Sequence, residues 1–208
     1  MMKKQFLLIL LFATIVSIPA FAQLPEKDED ISPLLNGETI PDIALKAPDG
    51  STHQVAQIIE EKPTILLFYR GGWCPYCNAH LSEIREVEAE IINLGYQLIG
   101  ISPDSPENLK VTDEKKQLNY SLYSDASGKF TKAMGLAFKS PEKYSGMLRD
   151  VSDGQNQGFL PVPSVFVVDQ SGTILFEYIN PNYKTRLSAK LLLAVLLNLD
   201  VKPSNQSK

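Results

Sequence analysis

A chain of 208 residues with 44% hydrophobic side chains has about one domain's length and enough apolar content for one sizeable core. Its 24 acidic and 20 basic side chains give a formal net charge of −4, which argues against nucleic acid or an anionic membrane surface as partner. With two cysteines, at most one internal disulfide is available.

In chain order, the first segment reads as a leader. Lys3 and Lys4 precede an apolar stretch from Phe6 to Ile18, and Ala20-Phe21-Ala22 has the small-x-small form that a signal peptidase cuts. The apolar stretch is shorter than the roughly 20 residues a spanning helix needs, so residues 1–22 are expected to be a cleaved signal peptide. No stable membrane insertion is expected after cleavage, and the expected location is the bacterial periplasm. Residues 23–37, QLPEKDEDISPLLNG, are polar, acidic and Pro-containing, as in a linker. One domain is expected over 38–202, with a disordered tail at 203–208.

IALKAPDGSTHQV (43–55) places Pro48-Asp49-Gly50 between two short alternating runs and predicts a hairpin. Ile65 to Tyr69 is an apolar run between Pro63 and Gly71, the pattern of a strand buried on both faces. From Pro75 to Leu94 the period changes: Cys77, Leu81, Ile84, Val87, Ile91 and Leu94 recur every three or four residues, and Gly95 closes an amphipathic helix. A second buried strand, YQLIGIS (96–102), leads to a helix opened by Ser105-Pro106. YSLYSD predicts a short strand and GKFTKAMGLAF a short helix. The stretch between Phe138 and Phe159 is rich in Gly, Ser, Pro and charge and predicts an inserted loop. VPSVFVVD and TILFEYI predict two strands joined by a turn at Asp169 to Gly172, and an apolar helix over 187–199 closes the domain. Strands alternating with helices, then a hairpin and a helix, define an α/β fold with a mixed central sheet flanked by helices on both faces.

Both cysteines lie in YRGGWCPYCNAH (69–80), where the first predicted strand turns into the first long helix. A disulfide between Cys74 and Cys77 closes so short a loop that its entropic gain falls below the roughly 3 kcal/mol of a 15-residue loop, so a mere staple is disfavoured. CxxC spacing points instead to a redox pair or half a metal site. Pro75 suits the first helical position, which puts Cys74 near the N-cap, where free N–H groups and the helix dipole favour thiolate over thiol. Cys77, one turn further on the apolar face, is expected to be the more buried sulfur and to close a disulfide onto Cys74. His80 follows Cys77 by three residues, but only His53 remains as a further histidine, so no closed four-ligand metal site is expected. A non-enzymatic copper or metal carrier stays open as an alternative. Asn78 after the CxxC excludes the haem-attachment pattern. His80 is read as a helix-surface residue or a mild tuner of Cys77, Trp73 as a lid beside the cysteines, and Arg70 either as support for a thiolate or as a solvated turn residue.

The motif resembles known families over roughly residues 38–199. Gly-Trp-CxxC at a strand-to-helix turn is similar to thioredoxin, and CPYC to glutaredoxins. IPDIAL, APDGS, FYRGGWCPYCNAHL, YSLYSDASGKF, MGLAF, PSVFVVDQSG and NPNYKTRLS together resemble the peroxiredoxin-like branch of the alkyl hydroperoxide reductase/thiol-specific antioxidant (AhpC/TSA) family. On that family's frame Arg70 takes the place of a proline, Cys74 of a threonine and Cys77 of the peroxidatic cysteine, while Pro163 replaces an arginine. Thioredoxins carry a cis proline at this last position, which implies a cis Val162-Pro163 bond and backbone pairing with a substrate cysteine. They also keep a buried carboxylate under the site, and the strand ILLFY has none. Tyr183 and Arg186 match the family tail and are read as structural.

These observations lead to an exported thiol-disulfide oxidoreductase that cycles a Cys74-Cys77 dithiol/disulfide, with Arg70, Trp73 and Pro163 supporting the site or binding substrate. The alternative is a thiol-dependent peroxidase acting on hydrogen peroxide or alkyl hydroperoxides, with Cys77 peroxidatic and Cys74 resolving. Neither needs a separate cofactor. Both need a thiol reductant protein or a disulfide or peroxide substrate as partner.

Overall fold

A computed structural model describes residues 23–199; the expected signal peptide, residues 200–202 and the expected tail lie outside the described residues. Seven strands form one mixed sheet in the order β2-β1-β5-β4-β3-β8-β9. At its centre β3 (Thr64–Phe68) runs parallel to β4 (Gln97–Ser102), and β4 parallel to β5 (Ser121–Ser124). The hairpins join antiparallel at the flanks: β1 (Ala44–Lys46) and β2 (Thr52–Gln54) on one side, β8 (Ser164–Val168) and β9 (Ile174–Ile179) on the other.

All five residues of β3 and of β8 are buried, and the period-2 alternation of a strand sends neighbours to opposite faces. Ile65, Leu67, Val165 and Val167 enter the core beneath α2 (Pro75–Glu86), α4 (Pro106–Lys116) and α7 (Ala189–Asn198). Leu66, Phe68, Phe166 and Val168 enter the opposite core, beneath α1 (Val55–Ile59) and α5 (Lys129–Ala133). Helices cover both faces, as the expected α/β class requires. Among the described residues no helix is long and apolar enough to cross a membrane.

Three expectations change. The helix expected over 75–94 is two: Val87 (φ −108°, ψ 6°) leaves helical geometry, and α3 (Glu88–Asn93) follows. At the break the Val87 amide bonds to Ile84 O at 3.1 Å, a tightened i→i−3 turn, while Leu81, Ile84 and Ile91 still enter one core. The insertion after Phe138 is also more than a loop. It holds α6 (Ser145–Val151) between the strands β6 (Ala137–Lys139) and β7 (Phe159–Pro161), which pair with each other. Buried Asn156 pins it by accepting from the Gly158 and Phe159 amides at 2.8 and 2.9 Å, and Val151 O accepts the Ser105 amide at 2.7 Å. Finally, the polar segment 23–37 is fastened to the domain. Pro25 O accepts from Lys139 N, Leu34 N donates to Met134 O and Gly37 N to Ile174 O, while Ile31 and Leu34 pack on the core.

Candidate active site

The Cys74–Cys77 pair sits at the C-terminal end of β3, where open α/β sheets present reactive groups. Gly71-Gly72-Trp73 makes the turn, Cys74 is the N-cap of α2 and Pro75 its first residue. The two sulfurs are not joined in a disulfide, and the residues are only 1% and 0% exposed. The Cys77 thiol and the Cys77 amide both donate to the Cys74 sulfur, and the nearby charges of Arg70 and Arg186 add to them, so Cys74 is brought down to about 6 against burial that opposes it. Cys77 moves the other way. Burial, the hydrogen bond it gives to Cys74 and the Cys74 charge push its thiol up, against the Arg186 charge and the Arg70 amide, which donates to its sulfur. Near neutral pH the pair is therefore expected to rest as a Cys74 thiolate that accepts a hydrogen bond from the protonated Cys77.

Arg70 is buried, 4% exposed, with its guanidinium carbon 4.3 Å from the Tyr183 ring centroid and 5.1 Å from those of Trp73 and Tyr144. The cage holds it as a fixed cation whose charge lowers Cys74, and it is not the solvated turn residue that was the other expectation. Trp73 is half-buried and its ring packs on that of Tyr144 of the insertion, with centroids 5.5 Å apart. Arg70, Tyr144, Tyr183 and Pro163 share a cleft of about 700 Å³.

Two expectations are corrected here. Among the described residues no peptide bond is cis, Val162-Pro163 included. Both Val162 backbone groups are already engaged, the amide on Leu136 O at 2.9 Å and the carbonyl on the Ser164 hydroxyl at 2.9 Å. Pro163 itself is buried at the cleft wall. His80 is not on the helix surface: it is 5% exposed and its Nε2–H donates to Leu187 O at 2.9 Å. Burial first, then the Arg186 charge, pushes it down to about 4, so it stays neutral near pH 7.

Two groups stand at the cysteines that the sequence did not place there. Arg186, expected to be structural, has Nη2 3.7 Å from Cys77 Sγ, a contact across 109 positions. The other is Asp104, a buried carboxylate beneath the motif, supplied by the end of β4 rather than by ILLFY. Its Oδ2 accepts the Gly72 amide at 2.7 Å. Phe68 pairs with Ile101 in the parallel register, so three residues further along Gly71 and Asp104 lie side by side; the two strands held that signal jointly. Trp73 Nε1, Asn78 Oδ1 and Asp104 Oδ1, all buried without a protein partner, border a cavity of about 190 Å³ behind the turn.

Burial raises Asp104 from 3.8 to about 6. A carboxyl whose folded value lies above its unfolded one binds more protons folded than unfolded, so its favourable share of stability is complete below pH 4 and is lost as pH rises through 6. Asp104→Asn, which keeps an oxygen for the Gly72 amide, is expected to flatten that part of the profile by on the order of 2–3 kcal/mol. Denaturant midpoints of both proteins between pH 4 and 7 measure it. A stability gap independent of pH would mean that Asp104 does not titrate in this window.

A CxxC pair at the start of a helix, on a mixed sheet covered on both faces, defines a cysteine-based oxidoreductase of thioredoxin-like fold. The AhpC/TSA family model matches residues 36–176, and the chain belongs to that family. Peroxiredoxin bcp1 of Schizosaccharomyces pombe is 28% identical over 118 residues, 56% of this chain and 60% of that protein. The chloroplastic peroxiredoxin Q of Populus jackii is 25% identical over 168 residues, 81% of this chain and 70% of that protein. Among solved structures, reduced Prx3 of Vibrio vulnificus in complex with H2O2 superposes with a TM-score of 0.69 at 19% identity, covering 79% of this chain and 97% of that one.

Proposed function

We propose that this protein is a thiol-dependent peroxidase with Cys77 peroxidatic and Cys74 resolving, and that a thiol reductant protein returns the resulting disulfide to thiols. The observation that carries this reading is the burial of both sulfurs, 1% and 0% exposed. A hydroperoxide of a few atoms can reach such a sulfur, whereas a protein disulfide must lie against it. The backbone edge on which a thioredoxin pairs its substrate is also spent here, on the Val162 amide to Leu136 O bond. The named relatives are peroxiredoxins, which supports the same choice over the thiol-disulfide oxidoreductase expected first.

Thiol–disulfide exchange begun by Cys74 is the second reading, favoured by its thiol lying at about 6. For the metal-carrier reading, no group of three or more His, Cys, Asp or Glu side chains among the described residues is placed to hold a metal ion. Export to the periplasm belongs to the proposal too, supported by the leader-like residues 1–22, and cell fractionation with N-terminal sequencing tests it. For the reaction, peroxide consumption by Cys77→Ser is compared with that by Cys74→Ser. Loss of turnover in both, with a Cys77 sulfenic acid trapped in Cys74→Ser, is expected; peroxide reduction surviving in Cys77→Ser overturns the assignment.

A further inference from the structure

Arg70 carries its positive charge into a place that is 4% exposed, and no acid closes on it. Among the described residues the ion pair is that of Lys139 with Glu26, at 2.9 Å. Three rings surround the guanidinium, and the Tyr144 hydroxyl takes a hydrogen bond from it. Aromatic faces attract a cation, but they do not take up the five in-plane N–H groups of a guanidinium. Arg70 Nε is left buried without a hydrogen-bond partner. A buried charge is costly unless an opposite charge and hydrogen bonds meet it, and the chain supplies Arg70 with no counter-ion.

We propose that Arg70 is an anion site: in the cleft that it lines, it binds the carboxylate of a small organic partner of the cysteines, a hydroperoxide or a thiol.

The cleft has the build for such a ligand. Its volume of about 700 Å³ is that of a small-molecule site and far exceeds what hydrogen peroxide fills. Phe138, Leu160 and Pro163 give it apolar walls, which Tyr144 and Tyr183 carry up to the guanidinium. A second cation stands at the same ring, since Lys143 Nζ is 5.1 Å from the Tyr144 centroid. Glu26, Asp28, Glu29 and Glu142 border the cleft as well, but none pairs with Arg70, and Lys139 holds Glu26. A planar carboxylate matches the fork of a guanidinium, with two parallel hydrogen bonds. The site is also next to the chemistry. The Arg70 charge acts on Cys74 and the Arg70 amide donates to the Cys77 sulfur, so a molecule anchored on this side chain has its remaining atoms beside the pair.

Linkage gives a consequence that can be measured. Hydrogen bonds from Cys77 and the charges of Arg70 and Arg186 hold Cys74 down. A carboxylate on Arg70 offsets one of those charges, so its binding raises Cys74, and by reciprocity the Cys74 thiolate weakens its binding.

The sole tryptophan reports the site directly, because the Trp73 ring centroid is 5.1 Å from the guanidinium carbon. Near neutral pH, the fluorescence of the reduced protein is titrated with benzoate and with benzamide, its uncharged counterpart. A saturable change with benzoate alone is expected, lost in Arg70→Met and weakened in Arg70→Lys. Benzoate should also raise the midpoint pH of Cys74 alkylation by about half a unit. That shift is read in the unchanged protein, so it decides the matter whether or not Arg70→Met folds.

Two kinetic arms distinguish the sources of the carboxylate. One compares kcat/KM for cumene hydroperoxide and its para-carboxylate. The other compares mercaptoacetate and its methyl ester in reducing the Cys74–Cys77 disulfide, each relative to its rate with a small-molecule disulfide. The net charge of −4 disfavours the acid in both pairs, so about a 10-fold preference for the acid in at least one pair, absent in Arg70→Met, is the expected result. Both members of a pair meet the same Cys74, and any effect of the substitution on that thiol cancels in the ratio. A preference in the hydroperoxide pair assigns the site to the oxidant, and one in the thiol pair to the reductant. No preference for the acid in either pair, or an equal response to benzamide and benzoate, overturns the proposal, as does an unshifted alkylation midpoint. A protein that consumes neither hydroperoxide overturns the peroxidase reading, and the benzoate titration and the thiol pair still decide the Arg70 site.

Discussion

Cys77→Ser is expected to lower peroxide reduction by at least about a thousand-fold, the loss that follows removal of a nucleophile. Serine at this place can still give a hydrogen bond to the Cys74 sulfur, so Cys74 should stay ionised near neutral pH and react with alkylating agents. The variant therefore separates having a thiolate from having it where peroxide is cleaved. Cys74→Ser should instead complete one turnover and stop with Cys77 as sulfenic acid, which a carbon-acid trap and mass spectrometry would detect. In the wild-type protein the reactive form of the pair carries one proton on two sulfurs. Because Cys74 lies at about 6, the rate should rise with pH through that value and level off near neutrality. A rate independent of pH between 5 and 7 would sink the shared-proton description. Full peroxide reduction by Cys77→Ser would transfer the nucleophile's role to Cys74.

The parts of this arrangement that were legible in the sequence are those fixed by local rules. Ile65 to Tyr69 reads as a doubly buried strand because nothing polar interrupts it, and Pro75 places Cys74 at an N-cap because a proline lacks the amide that the first helical turn leaves unused. The parts that escaped depend on distant partners. His80 lies on the same helical stripe as Cys77, Leu81 and Ile84, which points to burial, but the carbonyl that accepts its hydrogen bond belongs to Leu187, 107 positions away. Arg186 reaches Cys77 only because Leu187 and Ala189 are tied to α2. Val87 continued the apolar period of the helix, and apolar periodicity does not register a break that keeps both halves facing one core. Pro163 carried an expectation from thioredoxin, but its neighbour Val162 pairs with Leu136 in a chain whose insertion brings up β6 and β7.

The turn that carries the pair is expected to tolerate no added carbon. Gly71 has φ +139°, and a Cβ there would meet Asp104 Oδ1 at 2.7 Å and collide with Trp73 Nε1; Gly71→Ala thus adds backbone strain to a clash with two buried groups. About 3 kcal/mol of lost stability follows from strain and overpacking together. Gly50 provides the contrast, with φ +88° and nothing within 4 Å of its Cβ position, so Gly50→Ala meets the strain alone and should be the milder change. At Gly72 the obstacle is one side chain, since a Cβ would run into Thr112 Oγ1, which otherwise donates to Asn108 O at 3.1 Å. Shifting Gly72 to escape would also pull its amide from Asp104. If collision with Thr112 is the cause, Thr112→Ala, which takes Oγ1 and Cγ2 away, should restore much of what Gly72→Ala loses, and denaturant unfolding of the two single variants and the double variant measures that coupling. Strictly additive losses would place the damage in the Gly72 backbone instead. The same double variant should recover the alkylation rate of Cys74, because the turn that presents the N-cap sulfur would regain its contact with Asp104.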